Sequence, residues 1–474
     1  MKDRFAADDM MNMGIYFGLG PWRAFASQWL LWRGFYRPLG AAFYLPLHHW
    51  FGLNPVPFQI AIMLLLAFNA YLAFRLAEAL GSSDLASGLA ALAVSYHAGL
   101  SNLQYNIDMV YDVLCFTFFI GALLFYVRIR SQGRLLRRGE IAVFLGLYVC
   151  ALNAKEMAFT FPLVLAAYEW FYHRPVSGHA SPLAADLAAG RHAQLAKPLD
   201  RWWCPAVSGW LRGPGPVILA AVALDGIDLY GKTVGRNSLL ANAAYRPVFS
   251  FARLMEFQQA SLNDLLGYFG RPSTPGVLAI WILITYLAWR RDRPVLRFCW
   301  AYMLITPLPI EFLSGRTQGT LYIPLAGWAV FASVVFLDLV EAAARFLAAE
   351  PLLRNLGRAG VCGLLIAGGV LLWAQRMDYI KTKVVEPAAA QQGIQTWDVI
   401  QQLRAAQPHV RPQSRVIFLN DPFTDWDMTF IAQLWFHDRT VHVYNQRLQH
   451  LSPADVSRMD YIFDFQDGKL LQLK

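Results

Sequence analysis

The stretch 52–76, GLNPVPFQIAIMLLLAFNAYLAFRL, decides what kind of protein this is. After Asn54 and two prolines it carries no charge until Arg75. A hydrocarbon layer about 30 Å thick takes about 20 helical residues to cross, so 56–80 reads as a membrane-spanning helix. Proline in the first turn suits its start, because the missing N–H has no helical partner there. The rest of the chain repeats the pattern. Of 474 residues, 56% are hydrophobic and only 15% charged, where a soluble domain carries about 25% charged residues. Mean hydropathy is +0.35. Apolar segments at 85–100, 107–127, 141–152, 157–172, 217–230, 277–289, 296–312, 321–340 and 361–374 bring the expected spans to ten.

The charges lie between these segments. Arg128, Arg130, Arg134, Arg137 and Arg138 fill one connection; Arg290, Arg291, Arg293 and Arg297 fill another. Arg345, Arg354 and Arg358 mark a third, and the Ala/Pro/Gly-rich stretch 173–212 carries Arg174, Arg191, Lys197, Arg201 and Arg212. Basic loops face the cytoplasm. Alternation then puts 101–106, 153–156, 231–275, 314–320 and both ends of the chain outside. The net charge of +9 is thereby explained by topology; with no nucleic-acid motif present, a nucleic-acid partner is excluded. Cys115, Cys150, Cys204, Cys299 and Cys362 show no metal or disulfide spacing and read as small core hydrophobes. The apolar stretch after Gly14 is broken by Pro21, Arg23 and Arg33 and lacks a cleavage site, so it is no secretory signal.

Two regions differ from the spans. In 15–55, Trp22, Trp29, Trp32, Tyr36 and Trp50 mix with Arg23, Arg33, Arg37, His48 and His49. That mixture suits helices lying in the membrane interface, so 1–55 reads as a first extracytoplasmic loop before a multi-spanning domain at 56–376. From 377 to 474 the composition turns soluble. Pro387 opens a helical run, RVIFLND is a strand, DMTFIAQLWF a helix and RTVHVYN a strand. LSPADVSRM has a Ser cap before Pro453, and YIFDFQDGKLLQL is two strands about an Asp-Gly turn. The expectation is a small extracytoplasmic α/β domain whose Asp421, Asp425 and Asp427 sit in a solvated loop.

Polar residues beside membrane spans are costly and mark function by default. Asp8 and Asp9 are adjacent carboxylates, able to act as a base or to hold a divalent cation. Arg37 with Tyr36, in FYRPLGAAFY, suits a phosphate at the membrane surface. NAKEMAFTFP sets Lys155 and Glu156 between two apolar segments, and SGRTQGTLYIPLAGW sets Arg316 at the mouth of a helix carrying Tyr322.

In this order (an acidic pair, YRPL, the 52–76 stretch, a polar turn from His97 ending in DVLCFTFF, AKE, and an Arg followed by LYIP) the chain resembles the GT-C superfamily of polyprenyl-phosphate-dependent glycosyltransferases. The likeness is to bacterial relatives of the protein O-mannosyltransferases and TMTC proteins, and it covers residues 5–345. It implies an all-α polytopic membrane enzyme that moves a hexose from a polyprenyl-phosphate sugar to a protein, lipid or glycan acceptor, at the outer face of the cytoplasmic membrane. Asp8 or Asp9 would be the catalytic carboxylate. Tyr36, Arg37, His97, Asp112, Lys155, Glu156, Arg316 and Tyr322 would line the donor and lipid-phosphate site. The family places a spanning helix before the acidic pair, so Met1 is expected to be a late start. The chain also departs from the family. Ala98 follows His97, Asn102 and Val110 stand where the relatives have Glu and Arg, and GRTQGTLY replaces ERYLY. A lipid-linked-sugar flippase and an inactive lipid-binding relative are the alternatives.

Overall fold

A computed structural model of the chain describes residues 4–26, 37–173, 213–234, 240, 243–267, 270–348, 357–391 and 393–474. The protein is mostly helical. Among the described residues three helices precede the first long span: α1 (Ala7–Leu19), α2 (Pro21–Ala26) and α3 (Pro38–Phe51). Then follow α4 (Pro55–Ala79), α5 (Asp84–Tyr96), α6 (Val110–Arg130), α7 (Arg138–Ala154), α8 (Phe161–Tyr172) and α9 (Gly215–Thr233). Next come α10 (Phe251–Leu266), α11 (Thr274–Arg290), α12 (Pro294–Ile305), α13 (Tyr322–Leu347) and α14 (Gly357–Ile380). Capping residues fix several starts: the Asn54 side chain accepts from the Val56 N–H at 3.2 Å and Ser83 from Ala86 at 3.3 Å. The segment expected at 296–312 is helical only to Ile305, because Pro307 and Pro309 cannot continue it.

Among the described residues four helices, at Pro55–Ala79, Ile107–Arg130, Gln318–Leu347 and Gly357–Ala389, are long and apolar enough to cross a membrane. Their outer faces agree with that. On α4, Ile60, Met63, Leu64, Phe68 and Tyr71 are exposed while Phe58, Ile62, Leu66 and Leu72 are buried. On α14, Leu364, Leu371 and Leu372 are exposed. So wide an apolar face needs hydrocarbon against it. The chain is therefore a membrane protein. At the centre runs α6, packed on α4, α7 and α13. Two polar links brace it. Asn69 on α4 donates to the Val113 carbonyl at 3.0 Å and accepts from Thr117 at 2.7 Å. At its far end Arg130 grips Glu169 at 2.6 and 2.8 Å, and Tyr126 donates to the same carboxylate.

The tail forms a four-stranded sheet. Its strands are β1 (Arg415–Leu419), β2 (His442–Asn445), β3 (Tyr461–Gln466) and β4 (Lys469–Gln472), in the order β2-β1-β3-β4. β1 is parallel to both β2 and β3, and β3 and β4 form an antiparallel hairpin. The hairpin turns through Asp467 and Gly468, both at positive φ, as a two-residue Asp-Gly turn requires. Helix α15 (Ile394–Ala406) packs beside β4 and α16 (Asp427–Phe436) against β2.

Helix α16 also packs on α1. Gly14 lets the two approach: a Cβ there would lie 2.8 Å from the Phe430 ring. Arg439 donates to the Phe17 carbonyl at 2.7 Å and lies 5.0 Å over the Phe17 ring. His437 stacks on His48 of α3 at 5.1 Å. The tail domain thus holds the helix that carries Asp8 and Asp9.

Candidate functional site

Five pieces of chain meet at one end of the helical body. Helix α1 supplies Asp8, and Arg37 stands just before Pro38 opens α3. The 3-10 turn Ile107–Met109 and the first turn of α6 supply Asp108, Tyr111 and Asp112. The break between α7 and α8 supplies Lys155 and Glu156, and the loop before α13 supplies Arg316. Together they line a cavity of about 420 Å³.

Most of its charges are already paired. Glu156 accepts from the Arg37 guanidinium at 2.9 and 3.4 Å and faces Lys232 at 3.1 Å. Lys232, 1% exposed, also faces Asp228 at 3.4 Å. Burial alone would raise the Glu156 carboxyl, but Arg37 and Lys232 outweigh it and hold the group well below the usual carboxylate range. Glu156 is therefore an anchor for cations rather than a base. Lys155 pairs with Asp112. The Arg37 guanidinium lies 4.9 Å over the Tyr111 ring, whose hydroxyl is 2.7 Å from that of Tyr16. Tyr16 in turn donates to the Arg37 carbonyl at 2.9 Å.

Three cavity groups stand outside these pairs. Arg316 lies over the Tyr245 ring at 4.6 Å and meets no carboxylate among the described residues. Asp8 is exposed and Asp108 keeps a buried oxygen with no donor. Among the described residues that line the cavity, these two carboxylates are free to hold a divalent cation. Among the described residues no third His, Cys, Asp or Glu is grouped with them, so water or a bound phosphate would have to complete the shell. The tail domain reaches this end too: burial, then Asp425 and Asp8, push the Asp427 carboxyl up.

Of the residues singled out in the sequence, Asp8, Arg37, Asp112, Lys155, Glu156 and Arg316 come together here. Asp9 does not line the cavity. It turns into the protein, where its Oδ2 accepts from the Ala6 N–H at 2.7 Å; burial, then Asp108, push it up. His97 lies elsewhere, at a turn where its Nε2 is 2.9 Å from the Leu265 carbonyl oxygen. Tyr322 is buried and stacks on Phe116 at 4.2 Å. Tyr36 falls outside the described residues, as do 174–212 and Cys204. Asp108, Tyr111, Lys232 and Tyr245 belong to the site without having been singled out. No protein-family model matches the chain, and no curated protein matches it.

Proposed function

We propose that the protein is a GT-C-type glycosyltransferase that moves a hexose from a polyprenyl-phosphate donor to an acceptor at the outer face of the cytoplasmic membrane. In this reading ten spans cross the membrane and the tail domain is extracytoplasmic. The observation that carries the reading is the cavity itself. Six residues picked for this chemistry, spread from Asp8 to Arg316, line one space with a free carboxylate and a free guanidinium.

The division of labour follows from the pairing. Asp8, exposed in the cavity and outside any ion pair among the described residues, takes the proton from the acceptor hydroxyl. That oxygen bonds to the anomeric carbon as the bond from that carbon to the phosphate oxygen breaks. The electron pair leaves with the phosphate, whose growing charge is met by Arg316. Arg37 is held by Glu156 and Lys155 by Asp112, so both present N–H groups in fixed positions without adding net charge.

The test is turnover by the full chain in lipid nanodiscs, supplied with labelled polyprenyl-phosphate hexoses. Release of the sugar from the lipid is expected. Asp8→Asn should lower kcat by about 10²-fold or more, while Asp9→Asn should act on stability. Turnover indifferent to Asp8→Asn would remove Asp8 as the base. Transbilayer movement of the lipid with no sugar release would replace the transferase by a transporter.

A further inference from the structure

Beside the cavity, and sharing Leu313 and Arg316 with it, lies a second recess of about 70 Å³. Liquid water occupies about 30 Å³ per molecule, so this recess is on the scale of a small polar group. Its charged lining is Arg253, Arg271, Arg316 and Glu256. Arg253 is answered by Glu256, at 2.6 Å. Arg271 and Arg316 form no ion pair among the described residues. Three guanidinium groups face one carboxylate in the lining, and Asp264, hydrogen-bonded to Thr317 and acting on Arg271, leaves the recess with a smaller positive surplus. A phosphate monoester carries about −1.5 to −2 at neutral pH, so this positive surplus attracts it. Guanidinium forks also suit its oxygens geometrically. At Gly315, also in the lining, φ is +65° and no atom lies within 4 Å of where a Cβ would stand, so the backbone there is open to a ligand.

We propose that this recess is a second phosphate subsite, which takes a phosphate monoester or the outer phosphate of a diphosphate from a ligand whose other end sits in the cavity. Arg316, on the shared wall, contacts both ends. The identity of the ligand rests on the transferase reading; the binding of phosphate does not. The group is either a phosphate on the acceptor or the second phosphate of a diphosphate-linked donor standing in place of the monophosphate one, and binding measurements separate the two.

Calorimetric titration of the full chain in nanodiscs of neutral lipid, saturated with farnesyl monophosphate, tests this with inorganic phosphate as the probe. One equivalent is expected to bind. Arg271→Ala should weaken it by about tenfold or more, the worth of a hydrogen bond to a charged group. Arg345→Ala, an exposed arginine that lines neither the cavity nor the recess, should leave it unchanged. Arg271 is exposed, so its replacement should leave the unfolding temperature as it was. Farnesyl diphosphate that blocks phosphate binding assigns the recess to a diphosphate donor; continued binding assigns it to the acceptor. If farnesyl monophosphate fails to bind while inorganic phosphate still depends on Arg271, the transferase reading falls and the subsite stands. No binding of phosphate, or binding indifferent to Arg271→Ala, overturns the subsite.

Discussion

At the scale of single residues, the cavity is held by a carboxylate that does no proton transfer. Glu156 neutralises Arg37 and part of Lys232, and these side chains are largely removed from water. Taking away one partner of such a buried set strands the others, at a cost of about 3 kcal/mol or more. Glu156→Gln is therefore expected to destabilise the protein by about 3 kcal/mol, read from unfolding in detergent against the parent chain. A loss below about 1 kcal/mol would mean that water reaches Arg37 and Lys232 and that the cluster is not a buried anchor. Arg37, Lys155, Glu156 and Arg316 were legible because a charge inside apolar sequence has to be accounted for. Their pairings were not: Arg37 and Glu156 are 119 positions apart, and no local pattern joins them. Asp108 was hidden in the polar turn 101–109, where an acid is unremarkable, and Lys232 was not singled out because it stands just past the apolar segment 217–230, where a basic residue is equally unremarkable.

At the scale of elements, the site depends on how closely α1, α3 and α6 approach. The contact is made at Gly40. A Cβ there would lie 2.3 Å from the Tyr16 hydroxyl and 2.5 Å from the Tyr111 ring, the two groups that brace Arg37. Gly40→Ala should therefore push these helices apart. The expected cost is about 1–3 kcal/mol, the range of an overpacked core, together with weaker binding of any phosphate ligand in the cavity. Gly146, inside α7, has no atom within 4 Å of its Cβ position, so Gly146→Ala should be neutral or stabilising by up to about 1 kcal/mol. Equal stability of the two variants would show that the α1–α3–α6 contact is not tight. The elements themselves were largely legible. Each of the ten apolar segments contains a helix, though 296–312 only as far as Ile305, since length and apolar content are local properties while the proline break is not an apolar signal. Every tail strand was legible as well, because turn residues such as Asp467-Gly468 and the Ser452 cap mark their limits. Helix α10 was not: its apolar residues are spread along one face and look polar on average.

At the scale of the whole molecule, the tail domain is docked on the N-terminal helices through a pair of imidazoles. His48 is buried, its Nε2 has no hydrogen-bond partner, and His437 stacks on it. The neighbouring titratable groups that bear on it, His437 and His49, are both imidazoles; a backbone hydrogen bond at Leu434 works the other way, and Arg439 lies over the Phe17 ring that packs on His48. Burial, and after it His437, push His48 down to about 4. In the unfolded or undocked chain it would titrate near the ordinary value, about 6.5. Between these two values the separated state binds the extra proton and the docked state does not. Docking should therefore be fully stable above about pH 6.5 and should weaken as the pH falls towards 4, by up to about 3 kcal/mol. Hydrogen exchange of the α1 and α16 amides, compared at pH 7.5 and 5 after correction for intrinsic rates, reads this directly. Faster opening at pH 5 is expected in the parent chain, and a flat response in His48→Gln. An equal response in both would place the sensitivity elsewhere. Since α1 carries Asp8, a loosened tail also frees the carboxylate from its place in the cavity. Any activity of the site should then decline over the same pH window in the parent chain, beyond what titration of the site's own groups produces.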